Sequence, residues 1–135
     1  MKSDAIRTRI KANAEEVARL RARIFETALE RDINPAARSQ WTEACAEYHR
    51  LYNALAFPGG YAEALEKFRI QDSTVIEPAL CFLEVRPYFF RSGYMFQMLL
   101  RRVKRAPLTP SQRSRLDAVL ARRAAWRTRK GRHET

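Results

Sequence analysis

The sequence predicts an all-α fold of about six helices, and three observations support this prediction. Apolar residues recur at spacings of three and four along most of the 135-residue chain. The strict alternation of apolar and polar residues that is typical of strands is absent, and helix-breaking residues are confined to a few positions. A chain of this length forms about one domain. We expect an irregular helical bundle or a short HEAT-like stack of helical hairpins.

The first predicted helix runs from about Ser3 to Arg31 and has a narrow apolar stripe with a spacing near 3.5 residues. β-Branched residues occupy its a positions, which favours a two-stranded parallel coiled coil. The homodimer candidates on this stripe are Ile6, Ile10, Val17, Leu20 and Ile24. Because the stripe spans only about three heptads, the alternative is that it docks on its own domain.

Capping residues and breaks delimit the next two helices. Asn34-Pro35 predicts a helix start, with Asn as the cap and Pro at the first helical position. This second helix extends to the break at Phe57-Pro58-Gly59-Gly60. A short third helix follows from about Tyr61 to Ile70, and Asp72-Ser73 ends it and offers a cap to the fourth.

The fourth predicted helix, which ends at Val85, is the most apolar segment of the chain. Its polar strip is thin, so we expect other helices to surround it. Glu77 and Glu84 lie on this strip seven residues apart, too far to share one proton, and we expect them to be solvated.

The last two helices follow the aromatic cluster Tyr88-Phe89-Phe90, which we expect to be buried at a helix junction. Ser92 is the expected cap of a fifth helix from Gly93 to about Arg105, closed by Ala106-Pro107-Leu108. The sixth helix opens with Thr109-Pro110-Ser111-Gln112, a capping box with proline at the first helical position.

Positive charge is concentrated at the carboxyl end of the chain. Residues 99–135 contain 12 Lys and Arg residues against two acidic residues, whereas residues 1–98 contain 14 basic and 13 acidic residues. On the last helix, basic residues replace the apolar stripe beyond Ala124, and a core cannot receive them. We therefore predict a single helical domain over residues 1–124 and a basic, partly disordered arm over residues 125–135.

The basic residues of the last two helices are the candidates for binding anions or nucleic acid. Tyr94 adds an aromatic ring to the basic face of the fifth helix, and Arg115, Arg122 and Arg129 recur every seven residues on the sixth. The full candidate set is Tyr94, Arg101, Lys104, Arg105, Arg115, Arg122, Arg123, Arg127, Arg129 and Lys130.

The start of the fifth helix is a second candidate anion site, formed by Arg91, Ser92 and Gly93. Free backbone N–H groups at a helix start attract anions, and an arginine beside them adds a full charge. The alternative is structural: Ser92 only caps the helix, and Arg91 pairs with a carboxylate such as Glu84.

Motifs for catalysis, metal binding or cofactor binding are not evident. Cys45 and His49 lie one turn apart on the second helix, but two ligands do not make a zinc site, and we interpret them as packing residues. The sequence has no glycine-rich phosphate loop and no hydrolase motif. It also shows no signal peptide or apolar run of membrane-spanning length, so we expect a cytoplasmic protein without metal or cofactor.

These observations favour a non-catalytic interaction module. We expect its helical surface to bind a protein partner and its basic arm to bind an acidic surface, with no membrane partner. The alternative is a protein that binds RNA or DNA through phosphate contacts of the two basic helices.

Overall fold

The protein folds into six α-helices, in a computed structural model that describes the backbone of residues 2–134 and the side chains of residues 2–129. The helices are α1 (Lys2–Ala28), α2 (Pro35–Ala56), α3 (Tyr61–Arg69), α4 (Ile76–Val85), α5 (Ser92–Arg105) and α6 (Pro110–Glu134). A 3₁₀ turn at Ser73–Val75 leads into α4. The described residues contain no strand, which confirms the all-α prediction.

Helix α4 lies at the centre of the core, as its apolar sequence predicts. Ala79, Leu80, Cys81 and Phe82 have 0% of their surface exposed. Helices α1, α5 and α6 all pack against α4. Full burial of a leucine or phenylalanine side chain contributes about 1.5–3 kcal/mol. The burial of α4 is therefore a large part of what holds the other helices together.

The apolar stripe of α1 is part of this core. Ile10, Val17 and Leu20 are at most 3% exposed, and Ile6 and Ile24 are partly buried against the same core. Helix α1 packs along α2 and α4, which supply the apolar surface that a second copy would have to supply in a coiled coil. The structure therefore packs these five dimerisation candidates against their own domain, and homodimerisation through them stays a prediction.

Two predicted caps are confirmed, and Asp72, predicted to cap the fourth helix, caps the 3₁₀ turn before α4 instead, while α4 itself has no side-chain cap. The Asn34 side chain accepts the Ala37 N–H at 2.8 Å, with Pro35 at the start of α2. The Asp72 carboxylate accepts the Thr74 N–H at 3.0 Å and begins the 3₁₀ turn. At the start of α6 a reciprocal box forms, in which the Thr109 N–H donates to Gln112 at 3.0 Å and the Gln112 N–H donates to Thr109 at 3.1 Å.

The prediction that Glu77 and Glu84 form a solvated strip is wrong, because α1 and α6 cover them with two arginines. Arg115 of α6 donates to Glu77 and to Glu84, each at 2.6 Å, and Arg7 of α1 donates to Glu84 at 3.0 Å. Only 17% of the Glu84 side chain and 22% of the Arg115 side chain are exposed. We call these four residues the α4 ion cluster.

The α4 ion cluster also corrects the role expected for Arg115. We predicted that Arg115 extends a basic flank with Arg122 and Arg129, but its guanidinium group is neutralised by two carboxylates. Its hydrogen bond to Glu84 is the main cause of a raised Arg115 pKa. Arg115 therefore joins α6 to α4 and is not available to an external anion.

Burial and hydrogen bonding oppose each other at the two carboxylates. Burial by itself raises the pKa of Glu84, but hydrogen bonds from Arg115 and Arg7 outweigh it and lower the pKa below its ordinary value. At Glu77, burial again raises the pKa, and hydrogen bonds from Ser3 and Arg115 bring it below the ordinary value. Both groups therefore bind protons less readily in the folded protein than in the unfolded chain.

Helix α6 changes character along its length. Leu116 and Val119 are buried, Leu120 and Arg123 are half-buried, and the other described side chains from Ala121 to Arg129 are exposed. The helical backbone continues to Glu134, so it includes most of the segment 125–135 for which we predicted partial disorder. That disorder stays a prediction. Within the described part of the chain, no helix is long and apolar enough to span a membrane.

Replacing Arg115 with alanine should lower the free energy of unfolding by about 2 kcal/mol, because two partly buried carboxylates lose a charged partner. Urea denaturation at neutral pH measures this change. Arg113→Ala is the matched control, since Arg113 is exposed two residues earlier on α6 and should give little change. Equal effects of the two substitutions would mean that the ion cluster does not stabilise the fold.

Acid should destabilise the protein through the same cluster. Since the pKa values of Glu77 and Glu84 are lowered by folding, their stabilising contribution is present above the unfolded carboxyl pKa and is lost as pH falls. The free energy of unfolding should therefore decline between about pH 5 and pH 3. Urea denaturation across this range should show a shallower decline for Glu84→Gln than for Glu66→Gln, which changes an exposed pair with Arg69. Identical pH profiles would contradict the assignment.

Candidate functional site

A large open groove lies between α1, the loop from α4 to α5, the start of α5 and Trp126 of α6. Its volume is about 910 Å³. Among the described residues, its lining includes three arginines, six aromatic residues and no acidic residue. We call it the arginine-aromatic groove, and its arginines and aromatic residues are Arg21, Arg86, Arg91, Phe25, Tyr88, Phe89, Phe90, Phe96 and Trp126.

Several aromatic rings of the groove face solvent. Tyr88 is 94% exposed, Phe25 is 58% exposed, and Phe90 and Trp126 are each more than 40% exposed. Phe89, between two exposed neighbours, is only 8% exposed and belongs to the core. The prediction that the whole aromatic cluster is buried is therefore correct for Phe89 and wrong for Tyr88 and Phe90.

The guanidinium groups of the groove stack on aromatic rings. Arg21 and Arg91 both lie over the Phe90 ring, with their Cζ atoms 4.2 and 5.3 Å from its centre. Arg86 lies over Phe96 at 5.0 Å and over Trp126 at 5.1 Å. Within the described part of the chain, none of these three arginines has an ion pair with a carboxylate. Their positive charges are therefore not neutralised.

The loop that supplies two of these arginines begins and ends with backbone in the left-handed region. Arg86 terminates α4 at φ 50°, where its N–H donates to Phe82 O at 2.8 Å, and Arg91 precedes α5 at φ 69°. A residue with a Cβ atom pays about 1 kcal/mol or more for this conformation, which usually favours glycine. Arginine at both positions points to a use for the side chain.

Two tyrosines of α2 lie beneath the loop. The Tyr52 hydroxyl donates to Phe90 O at 2.6 Å and ties the loop to α2, and burial raises the pKa of Tyr52 to about 12. Tyr48 is 8% exposed, and its hydroxyl has no hydrogen-bond partner among the described residues. Burial raises the pKa of Tyr48, while the charges of Arg21 and Arg91 act in the opposite direction.

More positive charge gathers at the α6 end of the groove. Arg123 donates to Gln97, a lining residue, at 2.9 Å. Burial lowers the pKa of Arg123, and the charges of Arg127 and Arg86 lower it further. The guanidinium groups of α6 and of the α4–α5 loop therefore share one electrostatic environment.

The structure places the predicted helix-start site in this groove but changes its details. Arg91, Ser92 and Gly93 all line the groove. Ser92 does not cap α5 as expected, because its buried hydroxyl accepts the Phe89 N–H at 3.0 Å and closes the turn before the helix. The alternative pairing of Arg91 with Glu84 is also wrong, since Arg91 lies over Phe90 and Glu84 binds Arg7 and Arg115.

The other predicted anion-binding residues are dispersed. Tyr94, Arg101, Lys104 and Arg105 are exposed on α5 outside the groove, and Arg105 lines a smaller cavity of about 180 Å³ beside α3. Arg122, Arg127 and Arg129 are exposed on α6, and Arg123 is half-buried. The side chain of Lys130 lies outside the described residues.

Sequence reasoning missed Arg21, Phe25 and Arg86. The first two lie four residues apart on α1, off the core stripe, where Arg21 stacks on Phe25 at 5.1 Å. That spacing was a usable signal, because residues four apart share a helix face. The position of Arg86, after an apolar helix and directly before proline, was a second signal. Helices commonly end with a residue in the left-handed region, and proline is common just after that residue.

The groove offers groups that recognise ligands. Stacked guanidinium groups bind carboxylates and phosphates, and exposed aromatic rings bind flat or apolar surfaces. Within the described residues, no group of three or more His, Cys, Asp or Glu side chains is arranged to hold a metal ion. Comparison of the chain with known protein families, with curated proteins and with solved structures finds no match.

Arg86→Gly should leave the free energy of unfolding within about 1 kcal/mol of the parent value. Glycine relieves roughly 1 kcal/mol of left-handed strain, while loss of the stacked guanidinium costs about 0.5–1 kcal/mol. Arg86→Ala loses the stacking without the relief and should be less stable than Arg86→Gly. Urea denaturation of both variants measures the difference, and an alanine variant as stable as the glycine variant would contradict the strain argument.

Proposed function

We propose that this protein is a non-catalytic helical interaction module that binds an acidic, partly apolar segment of a protein partner in the arginine-aromatic groove. The observation that supports this proposal most directly is the set of arginines Arg21, Arg86 and Arg91, which lie among exposed aromatic rings without a carboxylate partner in the described part of the chain. An acidic segment supplies the missing negative charge.

Two exposed aliphatic side chains in the turn after α1 favour a protein as the partner. Leu29 is 86% exposed and Ile33 is 70% exposed, and they follow the groove residue Phe25 at four-residue intervals. Exposed aliphatic side chains add affinity for a protein surface, whereas nucleic acids are bound through phosphates and base stacking. Tyrosine, tryptophan and arginine are also the residues that contribute most energy to protein interfaces.

The basic end of α6 is the second part of this proposal. Arg122, Arg127 and Arg129 are exposed beyond the last buried residue of the helix. We propose that this end projects from the core and binds an acidic surface on the same partner. We also propose that successive helices pair as hairpins in a HEAT-like stack, and that this stack holds the elements that line the groove.

Binding of nucleic acid is the second candidate function, and the exposed face of α5 favours it. Tyr94 is 67% exposed, and Arg101, Lys104 and Arg105 are exposed on the same helix. This combination of one ring with several cations can stack a base and bind phosphates. It lies outside the groove, so the two candidates are separable by mutation.

Selection from a random peptide library on the immobilised full chain tests the proposal. We expect enriched peptides that combine acidic with aromatic or aliphatic residues. Affinity for a labelled enriched peptide should fall about tenfold or more in Arg86→Gly, because a charged contact in the groove is lost. The matched control Arg101→Gln removes the same charge from α5, outside the groove, and should change the affinity by less than about twofold.

Short single-stranded RNA and DNA, titrated across a salt series, test the second candidate. Binding that falls steeply with salt, is lost in Arg101→Gln and is retained in Arg86→Gly would favour nucleic acid over the proposed function. Selection that returns no acidic consensus, or peptides that bind Arg86→Gly as well as the parent chain, would also count against the groove as a protein-docking site.

A further inference from the structure

We propose that Arg21 and Arg91, which both contact the Phe90 ring, form a subsite for a phosphate monoester, and that it receives a phosphorylated side chain of the partner segment. This inference rests on the proposed function, because it assigns a chemical group to part of the same groove. It makes recognition of the partner dependent on phosphorylation.

The two guanidinium groups contact the same aromatic ring. Their Cζ atoms lie 4.2 and 5.3 Å from the centre of the same ring, so they are within about 10 Å of each other. Both residues line the groove, which holds no acidic side chain among its described residues. Two positive charges in a groove without a described acidic side chain repel each other, and an anion bound by both reduces that repulsion.

Stacking leaves the hydrogen-bond donors of both arginines unused. A guanidinium group presents five N–H donors in its own plane, and an aromatic ring contacts only its face. Within the described residues, neither Arg21 nor Arg91 donates a hydrogen bond to another side chain or to backbone. Phe90 therefore restrains the two guanidinium groups while their donors remain available to a ligand.

The charge of the subsite matches a dianion. A phosphate monoester has a charge of about −1.5 to −2 at neutral pH and offers three acceptor oxygens, so two arginine forks can bind it together. A carboxylate or a phosphate diester has a single negative charge and neutralises only one of the two arginines. Phosphorylated side chains are commonly bound by arginine clusters of this kind.

Tyr48 is one of two described residues, with Tyr61, whose buried hydroxyl has no hydrogen-bond partner, and it does not itself line the groove. Its side chain is 92% buried, yet its hydroxyl has no hydrogen-bond partner in the described part of the protein. A buried hydroxyl without a partner is costly. The charges of Arg21 and Arg91 lower the pKa of Tyr48 and so oppose the effect of burial, which raises it.

Heteronuclear NMR titration of the full chain with phenyl phosphate tests the subsite directly. Benzoate and diphenyl phosphate are the comparison probes, because each has an aromatic ring but only one negative charge. We expect phenyl phosphate to bind about tenfold more tightly than either, and to shift the resonances of Arg21 and of residues 90–93.

Variants separate the subsite from general attraction of anions to a basic protein. Arg91→Gly, which suits the backbone at φ 69°, should weaken binding of phenyl phosphate about tenfold. Arg21→Lys keeps the charge but loses the planar fork, and should weaken it by about threefold or more. Arg113→Gln removes one exposed charge of α6 and should have an effect below about twofold.

Equal affinities for phenyl phosphate and benzoate would overturn the proposal, as would equal loss of binding in Arg91→Gly and Arg113→Gln. Diphenyl phosphate that binds as tightly as phenyl phosphate would overturn it in favour of a nucleic acid backbone. The proposed function is tested separately, by measuring binding of the peptides selected on the full chain. Peptides that bind in the groove without any effect of phenyl phosphate leave the proposed function standing and reject the subsite.

Discussion

Helix α4 is surrounded by other helices, so its two carboxylates must be neutralised inside the fold. Glu77 and Glu84 lie on the face of α4 that α1 and α6 cover, and an unpaired carboxylate there costs several kcal/mol. Arg115 binds both carboxylates, and Arg7 binds one of them. The need to neutralise these carboxylates therefore fixes the positions of α1 and α6 relative to α4. Because α1 and Trp126 of α6 line the groove, it also positions two walls of the groove.

The carboxyl end of α4 sets the third wall. Pro87 cannot continue the helix, so the chain turns at Arg86 in the left-handed region and turns again at Arg91 before α5. Between these turns the loop is held from below by the buried Phe89 and by the bond from the Tyr52 hydroxyl to Phe90 O. Because its middle is anchored, the loop presents Tyr88 and Phe90 outward. The groove is thus a consequence of how the core helix ends.

The local features of this fold were predictable from sequence, and the contacts between distant segments were not. The box of Thr109 and Gln112 joins residues three apart, whereas Arg115 binds Glu84 from 31 residues away. Apolar periodicity identifies the buried face of a helix but not the helix that covers it. In the groove, Arg91 was predicted from its place at a helix start. Its neighbour Arg21 was not, because 69 residues separate Arg21 from the Phe90 ring that brings the two together. Nor does periodicity separate buried Phe89 from exposed Phe90 in a loop.

Two pairs of arginines in this protein differ in what their charge does, and the difference bears on function. Arg7 and Arg115 neutralise carboxylates within the core, so their charge is used in folding. Arg86 and Arg91 occupy backbone positions that glycine would fill at lower free energy, and they have no carboxylate partner in the described part of the chain. Their stacking on aromatic rings returns about as much free energy as the backbone conformation costs. Folding alone therefore gives little reason for arginine at these two positions. The anionic occupant that we propose for the groove would require a cationic side chain at each of them.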